Sequence, residues 1–332
     1  MTAMWLRKSL QNLPADNETT RGEVRERANN ILRPAGALQK LDDVAIWMAG
    51  WQATNQPKVS RPAALVFAAD HGVAASSSVS AYPTEVTAAM LKAYQSGKST
   101  LSAFAKIAGA TVHAVDVGVG RPTQDIQVEA AMSEQRFDEA LIAGRNAVEQ
   151  LDADLLVIGE MGIGNTTVAA AITAALLGGE PSSWVGRGTG VDQQGFERKC
   201  LAVDRAVTRV NSIEDPIEIL RQLGGAEIAA MTAAIVAARI RQLPIVIDGF
   251  VVTSAALALH QVSKDALDHC VFSHCSAESG HRKVLEHLNK PYLLDLDMRL
   301  GEGSGAMAAV PLIAMACAGV TEVPTFQEWF GS

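Results

Sequence analysis

The stretch ADLLVIGEMGIGNTTVAAAITAALL, residues 153–177, decides which class of fold this chain can adopt. Residues 153–162 contain the unbroken apolar run LLVI between Asp154 and Gly159, which is typical of a strand buried on both faces. The small apolar residues after Gly164 predict a helix. A strand, a glycine-rich turn and a helix in this order begin a βαβ unit, so the stretch indicates a parallel sheet.

The same alternation recurs along the chain. Apolar runs at 63–72, 110–119, 243–250, 270–275 and 291–296 predict further strands, the last of them buried. Segments 84–108, 137–150, 195–212 and 223–242 predict helices between them. This alternation predicts an α/β protein with a parallel sheet and helices on both faces. Residues 1–60 read as helices and predict a smaller helical domain, to which 320–332 is a candidate addition.

Composition limits the partners and the setting. The net charge is −8 and no block of Lys and Arg occurs, so nucleic acid and anionic membrane surfaces are not expected partners. The four cysteines lack paired spacing and the N-terminus lacks a long apolar segment, which predicts a reducing, cytoplasmic setting. The most membrane-like run, 310–320, is too short to span a bilayer and is expected to be a core helix.

Polar, glycine-rich turns follow the predicted strands. In a parallel sheet they would gather at one edge, where ligands bind beyond the carboxyl ends of the strands. Taken singly each turn could be an ordinary β–α connection, but six together indicate a site. Five follow predicted strands, at 70–72, 159–167, 248–250, 273–281 and 301–305, and the loop at 186–190 is a sixth with the same chemistry.

The turn GEMGIGNTT resembles a P-loop but has Asn165 where the lysine should stand. Gly162 and Gly164 would let backbone N–H groups approach a phosphate, and Thr166 would lie at a helix start. A monophosphate needs no more than this. The ordinary alternative for Thr166 is a helix cap.

The turn GRGTG adds a second group of backbone donors at Gly188, Thr189 and Gly190, with Arg187 nearby. Lys199, on the following helix, could add a positive charge, although a solvated lysine is the common alternative. The turn thus predicts a second phosphate or ribose contact.

Other chemistries have weaker support. Asp295 and Asp297 have the D-x-D spacing of a Mg²⁺-dependent phosphatase, but Met298 and Arg299 follow in place of the usual ending. Cys270, His274, Cys275 and His281 do not match a common zinc spacing. His71 either contacts ligand or closes the turn after its strand, and the turn is the favoured interpretation.

One family shares these motifs in the same order. The runs VFAADHGV, PTEVTAAML, GEMGIGNTTVAAAI, GRGTGVD, LGGAEIAAM, VIDGFVVTSAAL and LDLDMRLGEGSGA resemble nicotinate-nucleotide:dimethylbenzimidazole phosphoribosyltransferases. The resemblance covers roughly residues 35–320. It implies transfer of phosphoribosyl from nicotinate mononucleotide to 5,6-dimethylbenzimidazole, giving nicotinate and the α-ribazole 5′-phosphate used in the nucleotide loop of cobalamin.

The resemblance also implies a Rossmann-like catalytic domain at 61–319, a homodimer, and neither metal nor cofactor. It implies that Glu302 is the catalytic base, with Glu160 close by. The glycines around Glu302 agree with this, since they would let a flat aromatic ring approach. The implied phosphate and ribose contacts, beyond the residues of the first two turns, are Asp248, Gly249, Ser276, Ser279 and Gly280.

The segment SAYPTEVTAAML departs from the family pattern. Family members tend to carry a small residue before the proline and a glutamine on the next helix, where this chain has Tyr82 and Met90. With Leu300, which precedes the base, these are the candidate contacts of the acceptor, and the accepted base could be another benzimidazole or a purine. A non-catalytic nucleotide carrier is the alternative function, which two intact carboxylates disfavour.

Overall fold

The computed structural model describes residues 2–331 as a six-stranded sheet with helices on both faces. The elements follow in chain order. They are α1 (Thr2–Leu10), α2 (Glu18–Asn30), α3 (Gln39–Gln52), β1 (Pro62–Ala69), α4 (Gly72–Ser77), α5 (Val86–Gln95), α6 (Thr100–Ala108), β2 (Thr111–Gly118), α7 (Glu134–Glu149), β3 (Leu155–Met161), α8 (Asn165–Leu177), a 3₁₀ turn (Pro181–Trp184), α9 (Gln193–Arg209), α10 (Pro216–Leu223), α11 (Ala226–Ile240), β4 (Ile245–Ile247), α12 (Phe250–Val262), β5 (Cys270–His274), α13 (Ser279–Leu288), β6 (Tyr292–Leu294), α14 (Ser304–Thr321) and α15 (Phe326–Phe330).

All neighbouring strands in the sheet are parallel, in the order β2-β1-β3-β4-β5-β6. The first strand of the sheet, β1, has β2 on one side. The chain then crosses over to the other side of β1, where β3 to β6 follow in order. The topological switch therefore lies between β1 and β3, where open α/β sheets form their binding crevice. The predicted parallel α/β fold is confirmed.

Strand β1 is apolar at every position because both faces of the sheet are covered. Ala63, Leu65 and Phe67 join a cluster with α7, α8, α11 and α12. Ala64 and Val66 join a second cluster with α3, α5, α6 and α14. A strand buried on both faces loses the alternation of polar and apolar residues, which is why it reads as a continuous run.

Three predictions of local structure need correction. Segment 84–108 is two helices, α5 and α6, separated by a turn in which Gly97 has a φ of 68°. Strand β6 is an edge strand with half-exposed residues, so the prediction of a buried strand there was wrong. Helix α10 was not predicted; its Asp215 cap and Pro216 are a start signal that the sequence does contain.

The first three helices are present where the sequence predicts helices. Helices α2 and α3 share a small core with Val320 of α14, and Ile31 pairs with Thr325 near the C-terminus. Helix α1 instead packs on α7 and α11, where Ala3 N–H donates to Asp138 at 2.9 Å. The division into a domain of 1–60 and a domain of 61–319 stays a prediction.

Within the described residues, α14 alone is long and apolar enough to cross a membrane by length and composition. It extends beyond the predicted 310–320 and begins at Ser304. More than half of it is buried, and it packs on α3, α6 and the sheet.

Helix α14 begins against β3 through a backbone contact that depends on Gly159. A Cβ at this position would lie 2.5 Å from Gly303 N and 2.6 Å from the Glu302 carbonyl oxygen. Both neighbours are backbone atoms, so they cannot move aside like a flexible side chain. Only glycine lets the strand and the loop approach this closely.

We therefore expect Gly159→Ala to lower the free energy of unfolding by about 1–3 kcal/mol, the usual cost of forced overpacking. Thermal unfolding of purified variants measures this. Gly22→Ala is the control, because a Cβ there meets nothing within 4 Å inside α2 and should leave stability equal or slightly higher. Equal melting temperatures for Gly159→Ala and the wild type would contradict the account of this contact.

Candidate active site

A cleft of about 330 Å³ opens at the carboxyl edge of the sheet. Most of the residues predicted for the site line it. These are Tyr82, Met90, Glu160, Gly162, Gly164, Asn165, Thr166, Gly188, Thr189, Lys199, Gly249, Ser276, Leu300 and Glu302. The structure thus brings five of the six predicted turns to one place: four follow strands, as the rule for parallel sheets requires, and the loop at 186–190 joins them from before α9.

Glu302 is held in an uncommon backbone conformation. Its φ is 65°, and Gly301 and Gly303 on either side have φ values of 77° and 79°. The left-handed backbone conformation is unfavourable for glutamate and persists only where surrounding contacts hold it. Asp248 supplies such contacts, since its carboxylate accepts the N–H groups of Gly303 at 3.0 Å and Ala306 at 2.9 Å.

Glu160 and Glu302 lie beside each other although 142 positions separate them. The Glu302 N–H points to Glu160 Oε1 at 3.5 Å, and the Asn165 amide donates to Glu160 Oε2. Glu302 is 8% exposed and Glu160 is 7% exposed. The cleft therefore contains two nearly buried carboxyl groups, one from β3 and one from the loop before α14.

Burial dominates the ionisation of both groups. It raises the pKa of Glu160 to about 8, with further increases from the charges of Asp248 and Glu227. Burial also raises the pKa of Glu302, while the Tyr94 hydroxyl opposes that shift and Asp248 adds to it. Perturbed carboxyl groups in a cleft are typical of sites that exchange protons or stabilise charge.

Tyr94 was not among the predicted residues. It lies on α5 one turn beyond Met90 and is 3% exposed. Burial, then Glu302 and Glu160, raise the pKa of Tyr94, so it stays a neutral phenol that can donate a hydrogen bond. The i, i+4 spacing from Met90 is the one sequence signal that could have placed it on the same helix face.

The other end of the cleft is suited to an anion. Helix α8 begins directly after Gly164, whose φ is 96°, and its first residues, Asn165 and Thr166, line the cleft, so the positive end of the helix dipole lies there. Lys199 is 1% exposed and donates to Thr166 Oγ1 at 2.9 Å. Burial lowers the pKa of Lys199 and the charge of Glu278 opposes this. A solvated lysine was the alternative considered, and the structure shows a buried one.

Four predicted contacts do not line the cleft. Asp248 lies beneath it, bound to the start of α14. Ser279 Oγ donates to the Val185 carbonyl at 3.0 Å, and Gly280 packs against Trp184 and Phe250. Gly190 ends its turn outside the lining. All four therefore lie outside the lining of the cleft, and their contact with the donor stays a prediction.

His71 also lies below the cleft. Its side chain is buried against Glu227, with 2.9 Å between His71 Nε2 and Glu227 Oε1. The ring packs under Gly162, where a Cβ would lie 2.7 Å from Nε2. This position agrees with the favoured interpretation, in which His71 supports the turn.

The cleft has lining residues that the sequence did not single out. Glu278, Arg299, His274, Met161 and Phe250 belong to this group. Glu278 and His274 do lie within the predicted turn after β5, but nothing in the pattern ranked them above their neighbours. Apolar residues such as Met161 could not be separated from the core by sequence alone.

The residues of the weaker hypotheses lie elsewhere. Asp295 pairs with Arg282 at 2.9 Å on the surface, and neither Asp295 nor Asp297 lines the cleft. All four cysteines are free thiols. Among residues 2–331 no group of three or more His, Cys, Asp or Glu side chains is arranged to hold a metal ion.

Comparison with known proteins gives the family. A model of the family described as "Phosphoribosyltransferase" matches residues 13–329. This chain belongs to that phosphoribosyltransferase family. The predicted family resemblance is thereby confirmed.

Curated relatives match over nearly the whole chain. A nicotinate-nucleotide–dimethylbenzimidazole phosphoribosyltransferase of Cereibacter sphaeroides is 44% identical, over 95% of this chain and 93% of the relative. One from Methylocella silvestris is 45% identical, over 97% and 94%. The crystal structure of CobT from Thermus thermophilus is 40% identical, with a TM-score of 0.89 over 94% of this chain and 98% of that one.

The raised pKa of Glu160 leads to a prediction about this phosphoribosyltransferase. Because folding favours the protonated form, ionising Glu160 costs stability as the pH rises from its ordinary value toward about 8. Glu160→Gln removes that cost. We expect the melting temperature of the variant, relative to wild type, to rise by about 3 °C or more between pH 5 and pH 9.

Differential scanning calorimetry at both pH values measures this shift. Glu286→Gln, an exposed carboxylate on α13 with no such burial, is the control and should show no pH-dependent difference. If the Glu160→Gln difference is the same at pH 5 and pH 9, Glu160 does not have a raised pKa.

Proposed function

We propose that this chain transfers the phosphoribosyl group of nicotinate mononucleotide to 5,6-dimethylbenzimidazole, giving nicotinate and α-ribazole 5′-phosphate for the nucleotide loop of cobalamin. The observation that carries the proposal is the pair of buried carboxyl groups, Glu160 and Glu302, in a cleft whose other end is suited to a phosphate. The names of the relatives supply both substrates.

The donor phosphate fits the end of the cleft formed by α8 and α9. There the start of α8, the Thr166 hydroxyl and the Lys199 ammonium group lie together. A helix N-terminus with a nearby cation is a common phosphate site. With the phosphate bound there, the ribose and the nicotinate extend toward the two carboxyl groups.

Glu302 is the proposed general base. One ring nitrogen of the acceptor attacks C1′ of the ribose, and the C1′–N bond to nicotinate breaks with its electron pair leaving on the nicotinate nitrogen. The other ring nitrogen of the acceptor loses its proton to Glu302. General-base assistance of this kind contributes about 10²–10⁴-fold. Attack opposite the leaving group inverts C1′, so the product is the α-anomer.

Glu160 is proposed to stabilise the positive charge that develops on the ribose as nicotinate leaves. Its pKa of about 8 means that the empty cleft holds it largely protonated at neutral pH. The positively charged pyridinium of the donor favours the ionised form, so binding itself would charge the group where it is needed.

Incubating the protein with both substrates in the presence of a chelator tests the reaction. Chromatography should show nicotinate and a new riboside phosphate in equal amounts. Donor binding without products would support the carrier alternative. Products that require Mg²⁺ and include inorganic phosphate would support the phosphatase alternative, which the surface position of Asp295 disfavours.

Replacing the proposed base separates turnover from binding. Glu302→Gln keeps the size of the side chain and removes its basicity, so we expect kcat to fall by about 10²–10⁴-fold with donor affinity changed less than about twofold. Steady-state assays of nicotinate release measure kcat, and isothermal titration calorimetry measures the affinity for the donor. Glu322→Gln, at the exposed far end of α14, is the control. Unchanged turnover in Glu302→Gln would remove Glu302 from the mechanism.

Tyr82 and Met90 are proposed to form the wall of the acceptor pocket together with Leu300, as all three line the cleft. Met90→Gln places an amide against the acceptor. Because family members tend to carry a glutamine here, we expect the KM for dimethylbenzimidazole to change less than about twofold. A polar base such as adenine can exchange a hydrogen bond with the amide, which is worth about 1 kcal/mol, so we expect its KM to fall about fivefold.

Steady-state assays with a panel of bases measure this preference. Ala89→Gln adds the same amide on the exposed side of α5 and should leave the panel unchanged. If Met90→Gln affects every base equally, Met90 does not contact the acceptor.

We also propose that the protein is a cytoplasmic homodimer. The exposed side chains of α15 support an interface, since Phe326, Trp329 and Phe330 are 47%, 64% and 67% exposed. Light scattering coupled to gel filtration tests the dimer, and a monomer at micromolar concentration would contradict it.

A further inference from the structure

Glu278 is an acidic side chain in the half of the cleft that is suited to a phosphate. It lies directly before α13, lines the cleft and is only 8% exposed. A carboxylate would repel a phosphate placed against it. Its presence therefore indicates that this part of the cleft receives a different group of the donor.

The two oxygens of this carboxyl group differ in their surroundings. The group accepts the N–H of Gly188, and it packs so closely on Gly186 that a Cβ there would lie 1.9 Å from Oε2. Glu278 Oε2 is buried and has no hydrogen-bond partner among the described residues. A buried acceptor without a donor is costly, so such an atom is commonly satisfied by a ligand.

Charge around Glu278 fixes what that ligand group can be. Burial raises the pKa of the Glu278 carboxyl group, while the charges of Lys199 and Arg299 oppose that shift and favour the ionised form, which can only accept hydrogen bonds. The phosphate and the carboxylate of nicotinate mononucleotide are acceptors themselves. The hydrogen-bond donors of nicotinate mononucleotide are therefore the 2′- and 3′-hydroxyl groups of its ribose, and one of them can supply the donor that Glu278 Oε2 lacks.

We propose that Glu278 receives the ribose hydroxyl groups of the phosphoribosyl donor and thereby selects a ribonucleotide over a deoxyribonucleotide. The proposal rests on the function proposed above. Lys199 and Thr166 hold the phosphate on one side, and Glu278 holds the sugar next to it. The contact of Lys199 with the phosphate and that of Glu278 with the ribose hydroxyl groups together fix the orientation of the ribose. In this orientation C1′ faces Glu160 and Glu302.

Deoxy analogues of the donor test this directly. The Kd values of nicotinate mononucleotide and of its 2′-deoxy and 3′-deoxy analogues are measured by calorimetry without acceptor base, so that no reaction occurs. For the wild type we expect loss of a contacted hydroxyl to weaken binding about tenfold or more, as for a hydrogen bond to a charged group.

The decisive quantity is the Kd of a deoxy analogue divided by the Kd of nicotinate mononucleotide, measured for each variant. In Glu278→Gln the ratio should fall toward about threefold, because a neutral amide oxygen accepts more weakly, and in Glu278→Ala it should approach one. Glu286→Gln, on the exposed face of α13, should keep the wild-type ratio. If Glu278→Ala does not fold, the ratio in Glu278→Gln alone decides.

A purely structural role gives a different pattern. If Glu278 only holds the turn at 186–188, both variants bind every nucleotide more weakly but keep the wild-type ratio, and the proposal is overturned. If the wild type does not bind nicotinate mononucleotide at all, the proposed function fails as well. Normal binding with an unchanged ratio overturns only the assignment of Glu278.

Discussion

The close approach between β3 and the loop before α14 is the constraint on which the site depends. Gly159 removes the side chain that would separate the two backbones, and Asp248 holds the loop by accepting the N–H groups of Gly303 and Ala306. Glu302 can therefore keep its left-handed conformation next to Glu160. Without this contact the sheet would still form, but its two carboxyl groups would not share a cleft.

The same arrangement divides the cleft electrostatically. At one end Glu160 and Glu302 lie near the further carboxyl groups of Asp248 and Glu227, and burial followed by these negative charges raises the pKa of Glu160. At the other end Lys199 and the first turn of α8 provide positive potential. A substrate with a negative phosphate and a sugar that becomes positive during reaction matches both ends at once.

The fold could be predicted because strands buried on both faces read as apolar runs separated by helices. The order of the strands could not, since pairing in a parallel sheet depends on how helices cross over and not on the strands themselves. Likewise the burial of Lys199 and the position of Tyr94 result from packing between helices that are distant in sequence. Local patterns place a residue on an element but do not show what faces it.

The candidate site was predictable to the extent that its residues lie in turns after strands. Thus Glu302, Glu160 and the turn at 162–166 come together as expected. Asp248 lies in such a turn too, yet it binds a neighbouring loop, because a buried carboxylate accepts backbone N–H groups wherever a helix start is in reach. The sequence alone does not show whether a carboxylate in such a turn faces the cleft or binds the backbone of a neighbouring loop.

The configuration at C1′ of the product tests the central claim most directly. Attack assisted by Glu302 from the side opposite nicotinate allows one inversion and no covalent intermediate. Proton NMR of the riboside phosphate made from nicotinate mononucleotide and dimethylbenzimidazole should therefore show the α-anomer alone. The β-anomer, or a mixture of both, would contradict a single displacement directed by this pair of carboxyl groups.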